Sequence, residues 1–236
     1  MCIEGAPDLS FLVVTPFPSL RGVLDEAIQV RNMNICIFGD SITWGASDFE
    51  KSGWADRLKV YCLESLDVDV YNLGISGDTS EGILNRIEQE AKIREASGII
   101  IAIGVNDSAF EKNGESRIDG DRFEKNVREI SRIARDIAEF VIFVGIANVD
   151  EERVCPKTWG SERSYKNSTI EEYNEIVRRI CKEEELEFIE TKGMLSDDDL
   201  EDGLHPNNEG HRKIFEKIKE VLTSRICGND KGEKKE

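Results

Sequence analysis

Hydrophobic and polar residues follow two different patterns along the chain. Five short apolar runs predict β-strands, and between them lie longer segments whose apolar residues recur every three or four positions, as in amphipathic helices. This helical spacing is shown by Phe123, Val127, Ile130, Ala134 and Ile137. The predicted strands are Asn34–Phe38, Val68–Asn72, Gly98–Ile103, Phe140–Gly145 and Leu186–Ile189.

The regular alternation of strands and helices predicts an α/β protein. Such an order is typical of one parallel sheet with helices on both faces, and the nearly continuous apolar runs at 98–103 and 140–146 fit strands that are buried on both sides. The run Val68–Asn72 instead alternates between apolar and polar residues, which indicates an edge strand. We therefore expect a five-stranded parallel sheet with the order 2-1-3-4-5.

Short polar motifs follow four of the five predicted strands. Ser41 follows the first strand, Gly77 the second and Asn106 the third, while Asp202 and His205 lie beyond the fifth. The carboxyl ends of parallel strands meet at one edge of the sheet, where open α/β folds form their ligand crevice. The topology thus predicts one site that contains all five residues.

The segment Asp202–Pro206 contains one of only two histidines in the chain. Gly203 permits a tight turn, and Pro206 disfavours a helical conformation at His205, so this histidine is expected on a loop. Asp202 lies close enough in sequence to orient one ring nitrogen, which leaves the other nitrogen free to accept a proton. Ser41, on a strand-to-helix turn, is the matching candidate nucleophile.

The second histidine, His211, carries a different pattern. It shares a predicted helical face with the apolar residues Ile214, Phe215 and Ile218. We therefore expect His211 to be a packed, structural residue.

Charge and composition narrow the range of partners. The chain has 31 Lys and Arg against 48 Asp and Glu, a net charge of −17 that disfavours nucleic acids and anionic membranes. No apolar stretch approaches the roughly 20 residues of a membrane span, and no basic region precedes the short apolar run at 11–14. The six cysteines lack the spacing of metal ligands. These features favour a cytoplasmic protein without stable membrane insertion, and they indicate no metal or other cofactor.

Four short motifs occur in an order that resembles the SGNH (GDSL-type) hydrolase superfamily of esterases and lipases. The motifs are Gly39–Ser41, Gly77, Gly104–Asp107 and Asp202–Pro206, and four ordered blocks are much more specific than any one of them. The resemblance spans the chain from about Met33 into the last predicted helix. It implies a three-layer, flavodoxin-like sandwich, in agreement with the pattern of strands and helices.

The resemblance also implies the roles of individual residues. Ser41 would be the nucleophile, His205 the general base and Asp202 the residue that orients His205. The oxyanion hole would consist of the backbone N–H groups of Ser41 and Gly77 and the side-chain amide of Asn106. The substrate would be a small-molecule ester.

Each motif also has a plainer explanation when it is taken alone. Ser41 follows an aspartate that can cap a helix, Gly77 can be a simple turn glycine, and the amide of Asn106 can cap a loop. Only the joint occurrence with His205 favours the catalytic explanation.

Four other residues near these motifs each have two explanations. We expect Asp40, Asp78 and Asp107 to brace loops, with metal binding as the weaker alternative. Trp159 belongs to a long polar connection after the fourth strand, where it is expected either to contact substrate or to pin the loop to the body of the protein.

We expect three segments and one leading function. Residues 1–32 are an N-terminal extension outside the catalytic core, 33–225 form the hydrolase domain, and 226–236 form a charged, disordered tail. The function is hydrolysis of small acyl esters or thioesters, for example of the lysophospholipid type. A carbohydrate O-acetyl esterase is the alternative enzyme, and a catalytically silent small-ligand-binding module is the alternative outside enzymes. The sequence does not indicate the oligomeric state.

Overall fold

Five parallel strands form one sheet in the part of the chain that the structure describes. The computed structural model describes residues 33–155 and 162–228, so Trp159 and the predicted N-terminal extension lie outside the described residues. The strands are β1 (Met33–Gly39), β2 (Val68–Gly74), β3 (Gly98–Ala102), β4 (Phe140–Val144) and β5 (Glu187–Ile189). Their order is β2-β1-β3-β4-β5, which confirms the predicted fold class and strand order.

Helices connect successive strands, as parallel pairing requires. The longest predicted amphipathic segment forms a helix that begins after Asp119, whose carboxylate accepts a hydrogen bond from the Arg122 N–H at 3.0 Å. The helices are α1 (Ser41–Trp44), α2 (Trp54–Ser65), α3 (Ser80–Leu84), α4 (Ile87–Ile93), α5 (Val105–Ser108), α6 (Gly120–Ile137), α7 (Asn167–Glu183) and α8 (Asn208–Gly228).

Successive residues of each central strand enter two different hydrophobic cores. In β1, Cys36 and Phe38 pack on the side of α3, α4, α6 and α7, while Ile35 and Ile37 pack on the side of α2 and α8. Side chains alternate between the two faces of a strand, so a continuous apolar run supplies both cores. The result is the expected three-layer sandwich of helices, sheet and helices.

The position of β2 at the edge of the sheet explains its alternating sequence. Val68 and Val70 are buried against the α2 side, whereas Asp69 and Tyr71 are exposed. Because only one face of this strand is covered by the described residues, alternate positions remain polar.

The carboxyl ends of the strands are in register along one edge of the sheet. Gly39, the last residue of β1, pairs with Gly74 of β2 and with Ala102 of β3; Ala102 in turn pairs with Val144, and Val144 with Ile189. The loops that follow these five positions therefore leave the sheet at the same edge.

The last described helix, α8, extends to Gly228 and so runs past the predicted domain boundary at 225. Its apolar face covers the α2 side of the sheet, and the rest of the predicted tail, 229–236, lies outside the described residues. The boundaries of the three predicted segments stay predictions. None of the helices within 33–155 and 162–228 is both long enough and apolar enough to cross a bilayer.

Candidate active site

The turn after β1 places Ser41 at the start of a short helix. Asp40 caps this helix, with its Oδ1 accepting a hydrogen bond from the Ile42 N–H at 2.9 Å. Gly39 is needed for the close packing of the turn, since a Cβ here would lie 2.1 Å from Thr43 Oγ1 and 2.6 Å from the Ala102 carbonyl oxygen. Ser41 is thus held on a strand-to-helix turn, where the sequence predicted it.

The loop between β5 and α8 places His205. Gly203 has a φ of +93°, a left-handed conformation that favours glycine. The Asp202 carboxylate accepts hydrogen bonds from the backbone N–H groups of Leu204 at 2.9 Å and His205 at 2.8 Å. One oxygen of Asp202 therefore closes the turn, and the other is available to the histidine ring.

Ser41, His205 and Asp202 form a continuous chain of hydrogen bonds. Ser41 Oγ lies 2.9 Å from His205 Nε2, and His205 Nδ1 lies 2.7 Å from Asp202 Oδ2. An Nδ1–H that donates to Asp202 leaves the Nε2 lone pair to accept the hydroxyl proton of Ser41. The structure therefore brings Ser41 next to a histidine that lies 164 positions later in the sequence.

Asp202 remains ionised in this arrangement. Burial alone would raise the pKa of Asp202, but hydrogen bonds from the His205 ring and from the His205 and Leu204 backbone outweigh it and hold this pKa well below its usual range. The charged carboxylate can then stabilise a positive charge on the imidazole.

Asn106 carries a buried amide group without a protein partner. It lies in α5 after β3, and its Nδ2 makes no hydrogen bond with any described residue. A buried donor left unpaired costs about 1–3 kcal/mol, so such groups are commonly kept for a ligand or a reaction intermediate.

Gly77 lies on the loop that follows β2. Its φ is +79°, and no atom lies within 4 Å of the position that a Cβ would take. The backbone there is open to close approach by another molecule. Its carbonyl oxygen accepts a hydrogen bond from Arg117 at 2.9 Å, which helps to fix the loop.

A buried polar bridge joins the Gly77 loop to the Asn106 helix. The Ser80 N–H and hydroxyl both donate to Asp107 Oδ1, at 3.0 and 2.5 Å, and Asn126 Nδ2 donates to Ser80 Oγ at 2.9 Å. Burial raises the pKa of Asp107 to about 6, although the two hydrogen bonds from Ser80 oppose the rise. The bridge fixes the spacing of two segments that reach the sheet edge from different strands.

The other two acidic residues also contact the loops that contain them. Burial raises the pKa of Asp40 to about 7, despite the hydrogen bond from the Ile42 backbone. Asp78 accepts a hydrogen bond from the Thr79 N–H at 3.0 Å and forms an ion pair with Arg86 at 2.8 Å. These contacts agree with loop bracing.

In the part of the chain that the structure describes, no cluster of three or more His, Cys, Asp or Glu side chains is arranged to hold a metal ion.

His211 is fully buried in the first turn of α8. The Trp54 N–H donates to its Nδ1 at 3.2 Å, and its Nε2 lies 2.9 Å from the Ala46 carbonyl oxygen, which accepts the ring N–H. Burial lowers the pKa of His211, although the bond to Ala46 partly opposes this. The predicted structural role of His211 is confirmed.

Sequence reasoning missed Arg153, which holds the loop that contains His205. Arg153, on the connection after β4, donates hydrogen bonds to the carbonyl oxygens of Leu200 and Glu201, just before Asp202. The N–H of Asp150, three residues before Arg153, donates to the Gly203 carbonyl oxygen at 2.9 Å. The only indication of this contact in the sequence was that Arg153 belongs to a long polar connection. Trp159, the residue singled out there, lies outside the described residues.

Comparison with protein families settles the class of the chain. The GDSL-like Lipase/Acylhydrolase family matches residues 37–213, which is more than half of the sequence. This chain belongs to that family. The resemblance to SGNH hydrolases is therefore confirmed, and the matched region contains the whole Ser41, His205 and Asp202 constellation.

Two curated proteins are similar over most of their length. The esterase TesA of Pseudomonas aeruginosa is 24% identical over 195 residues, covering 80% of this chain and 88% of the relative. The uncharacterized lipoprotein YqeF of Bacillus subtilis is 24% identical over 220 residues, covering 79% of this chain and 88% of the relative. With the family match, the first of these supports an ester hydrolase.

Solved structures of similar fold include Axe2, an acetylxylan esterase from Geobacillus stearothermophilus. It superimposes with a TM-score of 0.64 at 20% identity, covering 83% of this chain and 94% of Axe2. LAE5, an alpha/beta hydrolase from the metagenome of Lake Arreo, Spain, gives a TM-score of 0.62 at 18% identity, covering 83% and 95%. At this identity the structures establish the fold. The family and the fold together identify this protein as an ester hydrolase of the GDSL type.

Proposed function

We propose that this ester hydrolase acts through a Ser41–His205–Asp202 triad. The observation that supports this most strongly is the unbroken pair of contacts, 2.9 Å from Ser41 Oγ to His205 Nε2 and 2.7 Å from His205 Nδ1 to Asp202 Oδ2. A serine hydroxyl is a weak nucleophile unless a neighbouring base accepts its proton, and this arrangement provides such a base.

The reaction proceeds in two stages on this geometry. His205 Nε2 accepts the proton as Ser41 Oγ bonds to the carbonyl carbon, and the resulting imidazolium is stabilised by Asp202. His205 then gives the proton to the departing alcohol or thiol, which leaves an acyl group on Ser41. In the second stage His205 takes a proton from water, the hydroxide attacks the acyl carbon, and Ser41 is released with its proton restored.

The oxyanion hole consists of the backbone N–H groups of Ser41 and Gly77 and the amide of Asn106. The unpaired Asn106 Nδ2 and the open approach to Gly77 support this assignment. The Ser41 N–H belongs to the first turn of α1, where backbone donors lack intrahelical partners. Fixed donors of this kind stabilise negative charge that develops on the carbonyl oxygen.

The substrate is a small acyl ester or thioester, for example of the lysophospholipid type. The esterase relative over 80% of this chain supports this class. Removal of acetyl groups from a carbohydrate is the second candidate, and it is favoured by the acetylxylan esterase among the similar structures. The expected cytoplasmic location stays a prediction from the sequence.

A substrate panel tests both the function and the choice between the two candidates. We would measure kcat/KM on nitrophenyl esters of increasing acyl length, an acyl thioester, a lysophospholipid and acetylated xylooligosaccharides, with Ser41→Ala as the matched control. A preference for the longer acyl esters, the thioester or the lysophospholipid supports the first candidate, and a preference for acetylated sugars supports the second. Binding of these compounds without turnover by the wild type would favour the small-ligand-binding module instead.

A further inference from the structure

The loop after β2 carries Gly77 with little side-chain packing around it. Ile75 is 49% exposed, and no atom lies within 4 Å of the position that a Cβ on Gly77 would take. Polar contacts therefore fix this loop. Its two ends are held by the Ile75 N–H, which donates to the Gly39 carbonyl oxygen at 3.0 Å, and by the ion pair of Asp78 with Arg86 at 2.8 Å.

Arg117 holds the middle of the loop. This residue is half-buried, and its Nη1 donates to the Gly77 carbonyl oxygen at 2.9 Å, across 40 positions of sequence. The guanidinium is charged, and charge-assisted hydrogen bonds are roughly twice as strong as neutral ones. Arg117 makes no ion pair with a carboxylate of the described residues, so none of these acidic side chains draws the guanidinium away from Gly77.

Arg117 is itself anchored to the segment that carries Asn106. Its backbone N–H donates to the Ala109 carbonyl oxygen at 2.8 Å, and the N–H of Ile118 donates to the Asp107 carbonyl oxygen at 3.1 Å. Both acceptors come shortly after Asn106 in the sequence. Arg117 thus joins the Asn106 segment, through its backbone, to the loop after β2, through its side chain.

We propose that Arg117 is a positioning residue for ester hydrolysis, which holds the Gly77 N–H in the orientation that it needs to share one oxyanion with Asn106. The inference rests on the proposed function, since it assumes that both groups bind the same oxygen. A bond to the Gly77 carbonyl fixes the peptide after this residue and, through the Cα, limits how far the preceding N–H can turn. Glycine at a φ of +79° has no side chain to provide that restraint.

The buried bridge between Ser80 and Asp107 has a different role. Ser80 is the first residue of α3, so the bridge holds that helix, whereas Arg117 bonds to Gly77 itself. Loss of the Arg117 side chain leaves the bridge and both ends of the loop in place. We therefore expect it to change the orientation of Gly77 more than the stability of the fold.

Kinetics of Arg117→Met test the inference, because methionine removes the donor and keeps an extended side chain. We expect kcat on a nitrophenyl ester to fall by about 10- to 10²-fold with KM little changed, since a misplaced donor mainly weakens binding of the transition state. Arg94→Met is the matched control. Arg94 is also half-buried, and its Nη1 donates to the Glu90 carbonyl oxygen at 2.9 Å, but it lies before β3, at the amino edge of the sheet. Arg94→Met should keep the wild-type kcat.

The order of the loop is a readout that does not depend on turnover. In ¹⁵N relaxation of the full chain, we expect a lower heteronuclear NOE at Gly77 in Arg117→Met and wild-type values at Gly77 in Arg94→Met. Arg117→Lys keeps a charged donor and should recover part of both kcat and the loop order. If Arg117→Met does not fold, Arg117→Gln, which has a shorter and uncharged side chain, carries the same expectations.

Three results would overturn the inference. They are an unchanged kcat in folded Arg117→Met, wild-type order at Gly77 in that variant, and a raised KM at unchanged kcat, which would make Arg117 a contact of the bound substrate. In each of these cases an inactive Ser41→Ala leaves the proposed function standing. Activity in folded Ser41→Ala would instead remove the proposed function, and this inference with it.

Discussion

The two histidines of this protein show how the same side chain acquires different properties from its surroundings. His205 lies on a loop at the sheet edge, where its ring contacts the side chains of Ser41 and Asp202. His211 lies one helical turn into α8, fully buried, and its ring nitrogens form hydrogen bonds with the backbone of Trp54 and Ala46.

The difference lies in what a proton transfer would cost at each ring. His205 can accept a proton because an ionised carboxylate contacts its other nitrogen. His211 must stay neutral, since its Nδ1 accepts from the Trp54 N–H, and a proton there would break that bond and place a charge in the core. The ring of His205 is thus held by hydrogen bonds to side chains. The ring of His211 is held by hydrogen bonds to the backbone.

The largest effects are expected at the sheet edge. Replacing Ser41 or His205 with alanine should lower kcat/KM by about 10⁴- to 10⁶-fold, because the two residues act as a unit. For the same reason the double variant should be little worse than either single variant. Ester-hydrolysis kinetics and circular dichroism on the same preparations check this. Near-normal activity in folded His205→Ala would remove the distinction between the two histidines.

The second effect separates two buried asparagines. Asn106→Ala should lower kcat by about 10²- to 10³-fold with little change in KM, because its amide is assigned to the developing oxyanion. Asn174 is the matched control, since both its amide nitrogen and its oxygen bond to the Ile146 backbone. Asn174→Ala should keep kcat and lose stability. An unchanged kcat in Asn106→Ala would leave only backbone donors in the proposed hole.

A smaller effect is expected on stability alone. His211→Ala should lower the free energy of unfolding by about 1–3 kcal/mol, because it leaves buried Trp54 N–H and Ala46 carbonyl groups unpaired. Urea denaturation compares it with His205→Ala, for which we expect a smaller loss. If the losses were equal, or if His205→Ala were the less stable variant, the structural contrast between the two residues would be wrong.

The smallest effect is a difference in pH dependence. Because the pKa of His211 is lowered in the folded state, the unfolded chain binds a proton more readily, and stability should fall as pH drops below about 6.5. His211→Asn should lack this part of the slope. Asp40 and Asp107, whose raised pKa values act in the opposite sense, remain in both proteins, so the difference between the two curves isolates His211. Parallel curves would contradict the assignment.

The sheet and the grouping of the motifs could be predicted from local patterns. Apolar runs such as Gly98–Ala102 indicate strands, and parallel topology alone brings the ends of β1, β2 and β3 to one edge. The alternating Val68 and Val70 even identified the edge strand. These features depend on residues that are neighbours in sequence or on a general rule of connectivity.

The supporting contacts could not be predicted in the same way. The bond of Arg153 to the Leu200 carbonyl and the bridge between Ser80 and Asp107 each join residues far apart in the chain. Such contacts depend on the distance and angle between packed elements, which no single sequence pattern encodes.

The most direct test of the proposed triad is covalent labelling with a fluorophosphonate, which reacts with an activated serine hydroxyl. Peptide mapping of the labelled full-length protein should find the adduct on Ser41. Labelling should be lost in Ser41→Ala, be strongly slowed in His205→Ala and proceed at close to the wild-type rate in folded His211→Asn. An adduct on a different serine, or equally fast labelling of folded His205→Ala, would contradict the assignment of Ser41 and His205 as a catalytic pair.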